Sequence, residues 1–446
     1  MAAPSQERGE WGSRMGFIFA AAGSAVGLGN IWRFPYVTGQ NGGAAFVVIY
    51  LFCILFICFP YLLGELALGR ATQRNPIDAI RAIKPGSPWV MVGVLCVLTG
   101  VAILSYYSVI AGWVLGYIIK ELIQSPISFG EFIASPIIVL PLFVAFMLLT
   151  ILVVYGGIQK GIERWSRILM PIMLVLIFIV IFRSITLEGA SKGLSFYLNP
   201  DFSKVTGRTV LEALGQAFFS LSLGMGAMLT YGSYLSKKEN LVVSGFYVAL
   251  FDTLIALLAG LMIFPALFAF GLQPDAGPKL VFVVLPELFE QMPLGGLVGV
   301  LFFLLLAIAA LTSTISLLEV PVSYLVDSKR YVRKKAVWIA GGSALLLGIP
   351  SALSQGAVPF LSNLPFFDGR GFLDLMDFIW GNISLALGAM LLSIFIGWVW
   401  GIDKATDEIL TGSKGFRPYA PVWGVFIRYI CPAVIFIVLL NIVQVF

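Results

Sequence analysis

The chain has 446 residues, of which 59% are hydrophobic and only 11% are charged, with a formal net charge of +5. Because a soluble globular protein carries about 25% charged residues, this composition excludes a soluble fold and indicates a protein of the lipid bilayer. The chain contains no histidine, which excludes histidine general bases, Ser-His and Cys-His catalytic pairs and histidine-ligated metals. Its four cysteines lie in apolar runs without disulfide or zinc spacing.

Apolar runs of about 20 residues or more, the length that a bilayer requires, occur eleven times along the chain. They predict an all-α polytopic membrane protein with eleven transmembrane helices. The first and sixth runs are rich in glycine, so we do not expect them to form uninterrupted helices. The runs cover residues 13–40, 43–69, 89–123, 136–155, 165–184, 208–235, 241–271, 295–326, 334–354, 373–401 and 421–445.

Loop charges predict the orientation of these helices, because Lys and Arg accumulate on the cytoplasmic side. With the N-terminus inside, nineteen of the 28 Lys and Arg residues fall in cytoplasmic segments and seven in outer segments. We therefore expect a multi-pass protein of the bacterial plasma membrane, with a cytoplasmic N-terminus, an extracellular C-terminus and no cleavable signal peptide. The same bias explains the positive net charge, so the lipid bilayer is an expected partner and nucleic acid is not.

Glycine interrupts two of the predicted helices near their middle. Residues 23–30 read GSAVGLGN and residues 220–226 read SLSLGMG. Close helix packing through small residues is one interpretation. However, unwound backbone at membrane depth is tolerated only where it is buried or lines a cavity, and two broken spans in corresponding positions are typical of a transporter site. We therefore expect a single transmembrane domain, 1–446, with two inverted five-helix repeats at 13–184 and 208–401 and an additional helix at 421–445.

Four segments of the sequence resemble the neurotransmitter:sodium symporter family. They read GSAVGLGNIWRFP at 23–35, NGG at 41–43, KGIER at 160–164 and SLSLG at 220–224. The sequence resembles bacterial members such as the leucine transporter and especially the multi-hydrophobic amino-acid transporters. The resemblance implies the leucine-transporter-like fold, in which helices 1 and 6 are unwound within an inverted 5+5 repeat.

The resemblance also implies two sodium sites and no organic cofactor, in keeping with the preference of sodium for hard oxygen ligands. Asp252 stands out even without the family, because it lies in the apolar run 247–270, where a carboxylate is expensive unless it is paired. A structural charge near a helix end is the alternative for Asp252, and hydrogen bonds to the preceding turn are the alternative for the hydroxyls of residues 312–314. The first site takes Ala25, Asn30, Ser220 and Asp252, and the second takes Gly23, Val26, Ala309, Thr312 and Ser313.

An amino-acid substrate is a zwitterion, whose carboxylate suits half-helix amides and a sodium ion. The resemblance places this carboxylate at the amides of Leu28 and Gly29 and at the Tyr107 hydroxyl, and the ammonium at carbonyls and the Ser222 hydroxyl. Gly27 leaves room for a substrate that carries its own carboxylate. Ordinary helix packing is the alternative for any single lining residue. The predicted substrate set is Ser24, Ala25, Leu28, Gly29, Ile103, Tyr107, Phe219, Ser220, Ser222, Met225, Ser313 and Leu317.

An outer gate is indicated by Arg33, since an arginine inside a span is functional by default. The resemblance pairs Arg33 with Asp377, with Asp374 as a nearby rival, above an aromatic lid of Tyr107 and Phe219.

An inner gate is implied by the same resemblance. Arg8 pairs with Asp327, and Trp11, Ser233 and Tyr234 pack around them. For Arg8, a role as a cytoplasmic anchor is the alternative. Gly161 and Pro171 have the spacing at which the fifth helix of similar symporters unwinds, although Pro171 alone could be a passive kink.

The sequence thus predicts a sodium-coupled secondary active symporter, not an enzyme, that imports hydrophobic or aromatic L-amino acids by alternating access and requires no oligomer. Animal relatives bind chloride through residues matching Tyr50, Gln216 and Ser220, where Asp252 would supply a fixed negative charge, so we expect transport without chloride. The alternatives are an amino-acid sensor or channel on the same scaffold, or a symporter for another small zwitterion.

Overall fold

A computed structural model describes residues 9–272 and 280–443 of the chain. Within these ranges the secondary structure is entirely helical, as lipid demands, because helices satisfy their backbone hydrogen bonds internally. The spans are α1a (Arg14–Ala25) and α1b (Gly29–Gln40), α2 (Ala44–Thr72), α3 (Val90–Ile123), α4 (Pro136–Tyr155), α5 (Ile158–Ile185), α6a (Gly207–Ser220) and α6b (Ala227–Gly232), α7 (Leu241–Ala269), α8 (Gly295–Asp327), α9 (Arg333–Leu353), α10 (Phe372–Gly412) and α11 (Lys414–Ile442).

The two predicted interruptions are confirmed. Among the described residues, nine continuous helices are long and apolar enough to cross a membrane, and α1 makes a tenth when its halves, bent by 53°, are counted together. The sixth predicted span is broken as well, because residues 221–226 between α6a and α6b are not helical. The first and sixth spans are therefore the discontinuous ones, as the glycine pattern indicates.

Some boundaries differ from the expected ones. α5 begins at Ile158, seven residues early, with a π-helical turn. α10 continues beyond Gly401, whose φ of 94° redirects the chain into the helix Ile402–Gly412. Short connecting helices were not predicted from the sequence, because they are too short to be read as spans. These are Pro76–Ile83, Phe129–Ala134, Ala190–Leu198, Leu285–Glu290 and Pro359–Ser362.

Close contact between α2 and α6b holds the second broken helix in place. A side chain at Gly69 would overlap the Leu229 carbonyl, and one at Gly232 would lie 2.8 Å from the Leu66 carbonyl oxygen. The outer surface of the bundle has the opposite character, since large apolar side chains such as Phe52 and Phe182 are mostly exposed. An apolar exterior around a buried, partly polar centre fits a bundle whose solvent is lipid.

Candidate transport site between the two broken helices

The break in α1 exposes backbone groups to α3 and α8. Val26 leaves the helix with an extended ψ of 110°. The amide of Gly27 donates to the Asn30 Oδ1 at 3.1 Å, and the amide of Leu28 donates to the Tyr107 hydroxyl at 2.9 Å. A Cβ at Gly27 would lie 2.6 Å from the Ser313 Oγ and 2.8 Å from the Tyr107 hydroxyl. Only glycine therefore allows the backbone to approach this closely.

The break in α6 depends on three residues with positive φ, Ser222 (53°), Gly224 (84°) and Gly226 (78°). The amide of Gly224 donates to Glu65 Oε1 at 2.8 Å, which replaces a lost helical hydrogen bond. Glu65 is fully buried and was not among the residues predicted from the sequence. A carboxylate within the apolar run 43–69 is the signal that could have found it.

Three side chains assigned to the first sodium site converge in the structure. The Asn30 amide nitrogen donates to the Asp252 Oδ1 at 2.7 Å and to the Ser220 Oγ at 2.9 Å, and the Ser220 hydroxyl donates to the Asp252 Oδ2 at 2.7 Å. The Tyr50 hydroxyl donates to Ser220 at 3.2 Å. All four residues are buried. The cluster therefore gathers hard oxygen atoms and one carboxylate, a donor set that fits a monovalent cation.

The residues assigned to the second sodium site also meet, at the contact between α1a and α8. The Ser313 hydroxyl lies 3.1 Å from the Val26 carbonyl oxygen and 3.3 Å from that of Ala309. The Thr312 hydroxyl lies 3.0 Å from the Ala309 oxygen, and a Cβ at Gly23 would lie 3.1 Å from the Thr312 Cβ. The Thr312 hydroxyl also donates a hydrogen bond to its own preceding turn. The geometry therefore fits both interpretations of these hydroxyls, as sodium ligands and as groups bonded to the preceding turn.

Several of the predicted substrate residues contact one another between the two breaks. The Ser222 hydroxyl donates to the Ser24 carbonyl at 3.0 Å, which joins α6 directly to α1. The Ser24 hydroxyl donates to Ser316 at 2.6 Å; Ser316 is a polar residue of this region that was not predicted from the sequence. A Cβ at Gly29 would lie 2.8 Å from the Phe219 ring. The other assigned side chains, Ile103, Tyr107, Met225, Ser313 and Leu317, are buried.

The outer gate is arranged around Phe219. The Arg33 guanidinium carbon lies 4.8 Å from the centre of the Phe219 ring, and both residues line a cavity of about 710 Å³. Asp377 accepts hydrogen bonds from the Tyr106 hydroxyl at 2.9 Å and from the Asn382 amide at 3.3 Å, and no direct Arg33–Asp377 ion pair occurs in the described parts of the chain. The rival Asp374 instead caps a helix by accepting from the amide of Gly371 at 3.0 Å.

The inner gate is described in part, because Arg8 lies outside the described residues. Asp327 accepts from the Asn75 amide at 3.1 Å. The Trp11 indole donates to the Tyr231 carbonyl at 2.9 Å, and its ring packs edge-on against Tyr231 and, at 6.4 Å, against Tyr234.

Two further carboxylates near the inner gate were not predicted. Glu319 is fully buried, accepts from the Tyr234 hydroxyl at 2.7 Å and pairs with Arg333 at 2.5 Å. Glu163 on α5 accepts from the amide of Gly12 and from the Ser13 hydroxyl, both at 2.7 Å. A carboxylate within the apolar run 295–326 is the signal that could have found Glu319. Glu163 precedes the apolar run 165–184 and carries no such signal.

Comparison with known proteins decides the family. The model of the sodium:neurotransmitter symporter family matches residues 8–131 and 134–446. The chain belongs to this family. The uncharacterized sodium-dependent transporter YhdH of Bacillus subtilis is 42% identical over 443 residues, which cover 97% of each chain. An uncharacterized sodium-dependent transporter of Haemophilus influenzae is 35% identical in an alignment of 464 positions that covers 99% of each chain.

A solved structure supports the same assignment. The crystal structure of MhsT in complex with L-phenylalanine is 46% identical and superposes with a TM-score of 0.88, covering 98% of this chain and 100% of that one. The predicted family and fold class are thereby confirmed. As a member of the sodium:neurotransmitter symporters, the chain is a multi-pass membrane protein that couples transport to sodium. The roles of individual residues stay predictions.

Proposed function

We infer that this symporter imports hydrophobic and aromatic L-amino acids together with two sodium ions, without a requirement for chloride. The observation that carries the substrate class is the relative of known structure, which is 46% identical along almost the whole chain and was solved with L-phenylalanine. The assigned pocket residues agree in character, because Ile103, Phe219, Met225 and Leu317 offer an apolar lining.

The polar groups at the α1 break suit the charged end of an amino acid. The Leu28 amide and the Tyr107 hydroxyl lie 2.9 Å apart, and both can donate to a carboxylate. The bare backbone at Gly27 leaves no acidic side chain to repel that carboxylate. The Ser222 hydroxyl and the neighbouring main-chain carbonyls supply the opposite end of the site, where an ammonium would be accepted. This division of donors and acceptors favours a substrate with both charges.

Asp252 supports the chloride independence. Its carboxylate accepts hydrogen bonds from Ser220 and Asn30, and Ser220 is also bonded to Tyr50. Asp252 therefore places a fixed negative charge beside Ser220. This charge would repel an added anion such as chloride. We propose that this charge offsets that of sodium in the first site.

The driving force of two sodium ions is sufficient for concentrative uptake. One charge crossing 100 mV is worth about 2.3 kcal/mol, and a tenfold sodium gradient adds about 1.4 kcal/mol per ion. Two ions therefore supply roughly 7 kcal/mol, enough for about 10⁵-fold accumulation of a neutral zwitterion.

Reconstitution tests the proposal. Proteoliposomes with an inward sodium gradient should accumulate radiolabelled L-phenylalanine above equilibrium, and large apolar amino acids should compete best in a panel of all twenty. Replacing chloride by gluconate should leave uptake unchanged. Equilibration of the amino acid without accumulation would indicate a channel, and binding without flux would indicate a sensor. If no large apolar amino acid competed, the proposal that the substrates are hydrophobic and aromatic amino acids would be wrong.

A further inference from the structure

At one end of the bundle, α4 ends beside the start of α9, and α5 begins three residues after the end of α4. The exposed side of these three helix ends, which carries Lys160, Arg164, Lys334 and Lys335, is called the basic surface below. Arg333 joins two of the three helix ends. The Arg333 guanidinium donates to the Val154 carbonyl at 3.0 Å and pairs with Glu319 at 2.5 Å, so α9 is joined to the last turn of α4 and the charge of Arg333 is already compensated.

Four other cations lie on the basic surface. Lys160 and Arg164 follow the end of α4, and Lys334 and Lys335 follow Arg333 on α9. All four are exposed, and the described residues provide no ion pair for any of them. The Lys334 ammonium instead lies 5.2 Å from the centre of the Tyr155 ring. Several positive charges are therefore concentrated where three helix ends meet.

Exposed aromatic residues occur on the same three helix ends. Tyr155, Trp165 and Trp338 are 38%, 43% and 51% exposed, and each belongs to one of the three helices. Trp and Tyr prefer the level of the lipid headgroups, because their rings are apolar with one polar edge. Further along the same helices, exposed Leu152 and Ile168 continue the apolar surface toward the bilayer interior. The basic surface therefore offers cations at headgroup level and apolar side chains below them.

We propose that this basic surface binds the phosphodiester headgroup of an anionic glycerophospholipid. The cations supply charge complementarity, and basic pockets between helix ends are suited to such headgroups. The aliphatic surface below them suits acyl chains, which a free phosphate ion does not have. The site lies apart from the substrate and sodium sites and borders the π-helical turn Ile158–Glu163, so a bound lipid contacts the start of α5.

Native mass spectrometry with titrated lipid tests the site. The protein in detergent is mixed with phosphatidylglycerol or with phosphatidylcholine of the same acyl chains. The wild type should bind phosphatidylglycerol more tightly. The triple variant Lys160→Gln, Lys334→Gln and Lys335→Gln should weaken that binding at least tenfold, since each cation near an anionic headgroup contributes about fivefold. Its elution profile and sodium-dependent thermal shift check that it folds.

A matched control separates a local site from general surface charge. The triple variant Arg74→Gln, Lys84→Gln and Lys238→Gln removes the same charge from exposed residues of the same end of the bundle, and it should change phosphatidylglycerol binding less than about twofold. Equal retention of the two lipids by the wild type, equal losses in both triple variants, or displacement of the lipid by millimolar inorganic phosphate would each overturn the proposal.

Discussion

Asp252 is both a proposed ligand of the first sodium site and the source of negative charge in that site. It is fully buried, and its two oxygens accept from Asn30 and Ser220 at 2.7 Å each. A buried carboxylate without a cation is costly, so its position between the two broken helices favours an ion ligand over a purely structural charge.

Substitution of Asp252 by Asn preserves the shape and removes the charge. We expect the sodium concentration for half-maximal binding of L-phenylalanine to rise at least tenfold, since interactions with a charged partner are worth about 1.5–3 kcal/mol. We also expect chloride to stimulate the variant. Binding of radiolabelled L-phenylalanine across sodium and chloride titrations measures both effects, with Asp374→Asn as the matched acid-to-amide control. Unchanged sodium dependence would remove Asp252 from the first site.

Substitution of Gly27 by Ala tests whether the backbone at the α1 break belongs to the substrate site. The added methyl group of Gly27→Ala would press on the Ser313 and Tyr107 hydroxyls, at 2.6 and 2.8 Å. Overpacking of this kind costs about 1–3 kcal/mol, so L-phenylalanine affinity should fall roughly tenfold while the protein still folds. Gly342→Ala is the control, because its methyl group would meet open space. Equal effects of the two substitutions on binding would contradict the assignment.

At the scale of elements, the beginning of α1a is held between two carboxylates. Glu163 on α5 accepts from Gly12 and Ser13, while Glu239 pairs with Arg14 at 3.0 Å. Glu163 is the more buried of the two. The half-helix that contributes to both predicted sodium sites is therefore anchored at its N-terminal end by charged hydrogen bonds from different parts of the bundle.

Replacing Glu163 by Gln should loosen α1a. The amide group retains one acceptor oxygen, but its nitrogen cannot accept from the Gly12 amide, so one charged hydrogen bond is lost. Such a bond is worth about 1.5–3 kcal/mol, and amide hydrogen exchange across Arg14–Ala25 should become roughly tenfold faster. Arg167→Gln is the control, because Arg167 is exposed and lies 3.8 Å from Glu163. Exchange equal to that of the wild type would show that Glu163 does not hold this half-helix.

The elements differ in how far sequence could predict them. The breaks in α1 and α6 were predictable, because closely spaced glycines in the middle of a span favour unwound backbone, and Gly224 and Gly226 do adopt positive φ. The five short connecting helices were not, since a helix such as Pro76–Ile83 depends on a local cap, here the Asn75 side chain accepting from Ile77 and Asp78. Partners such as Glu65 and Gly224 depend on packing between spans that are far apart in the sequence.

At the scale of the whole molecule, the scarce charges are sorted by depth. Asp252, Glu65 and Glu319 are fully buried within spans and bonded to groups of other helices, whereas most Lys and Arg residues lie at helix ends and in loops. This separation explains why composition alone indicated a membrane protein and why a charge within an apolar run, such as Asp252, pointed to the site. The number of sodium ions and the orientation in the membrane stay predictions, since the first depends on bound ions and the second on the two sides of the bilayer.

Orientation can be tested with single cysteines, because the four native cysteines are buried. Lys84 lies between α2 and α3, Lys192 lies between α5 and α6, and both are exposed. The positive-inside rule places Lys84 in the cytoplasm and Lys192 outside. A membrane-impermeant maleimide applied to intact spheroplasts should therefore label Lys192→Cys and spare Lys84→Cys, and permeabilised membranes should label both. The reverse pattern would place the N-terminus outside, and it would place the basic surface of α4, α5 and α9 at the outer leaflet.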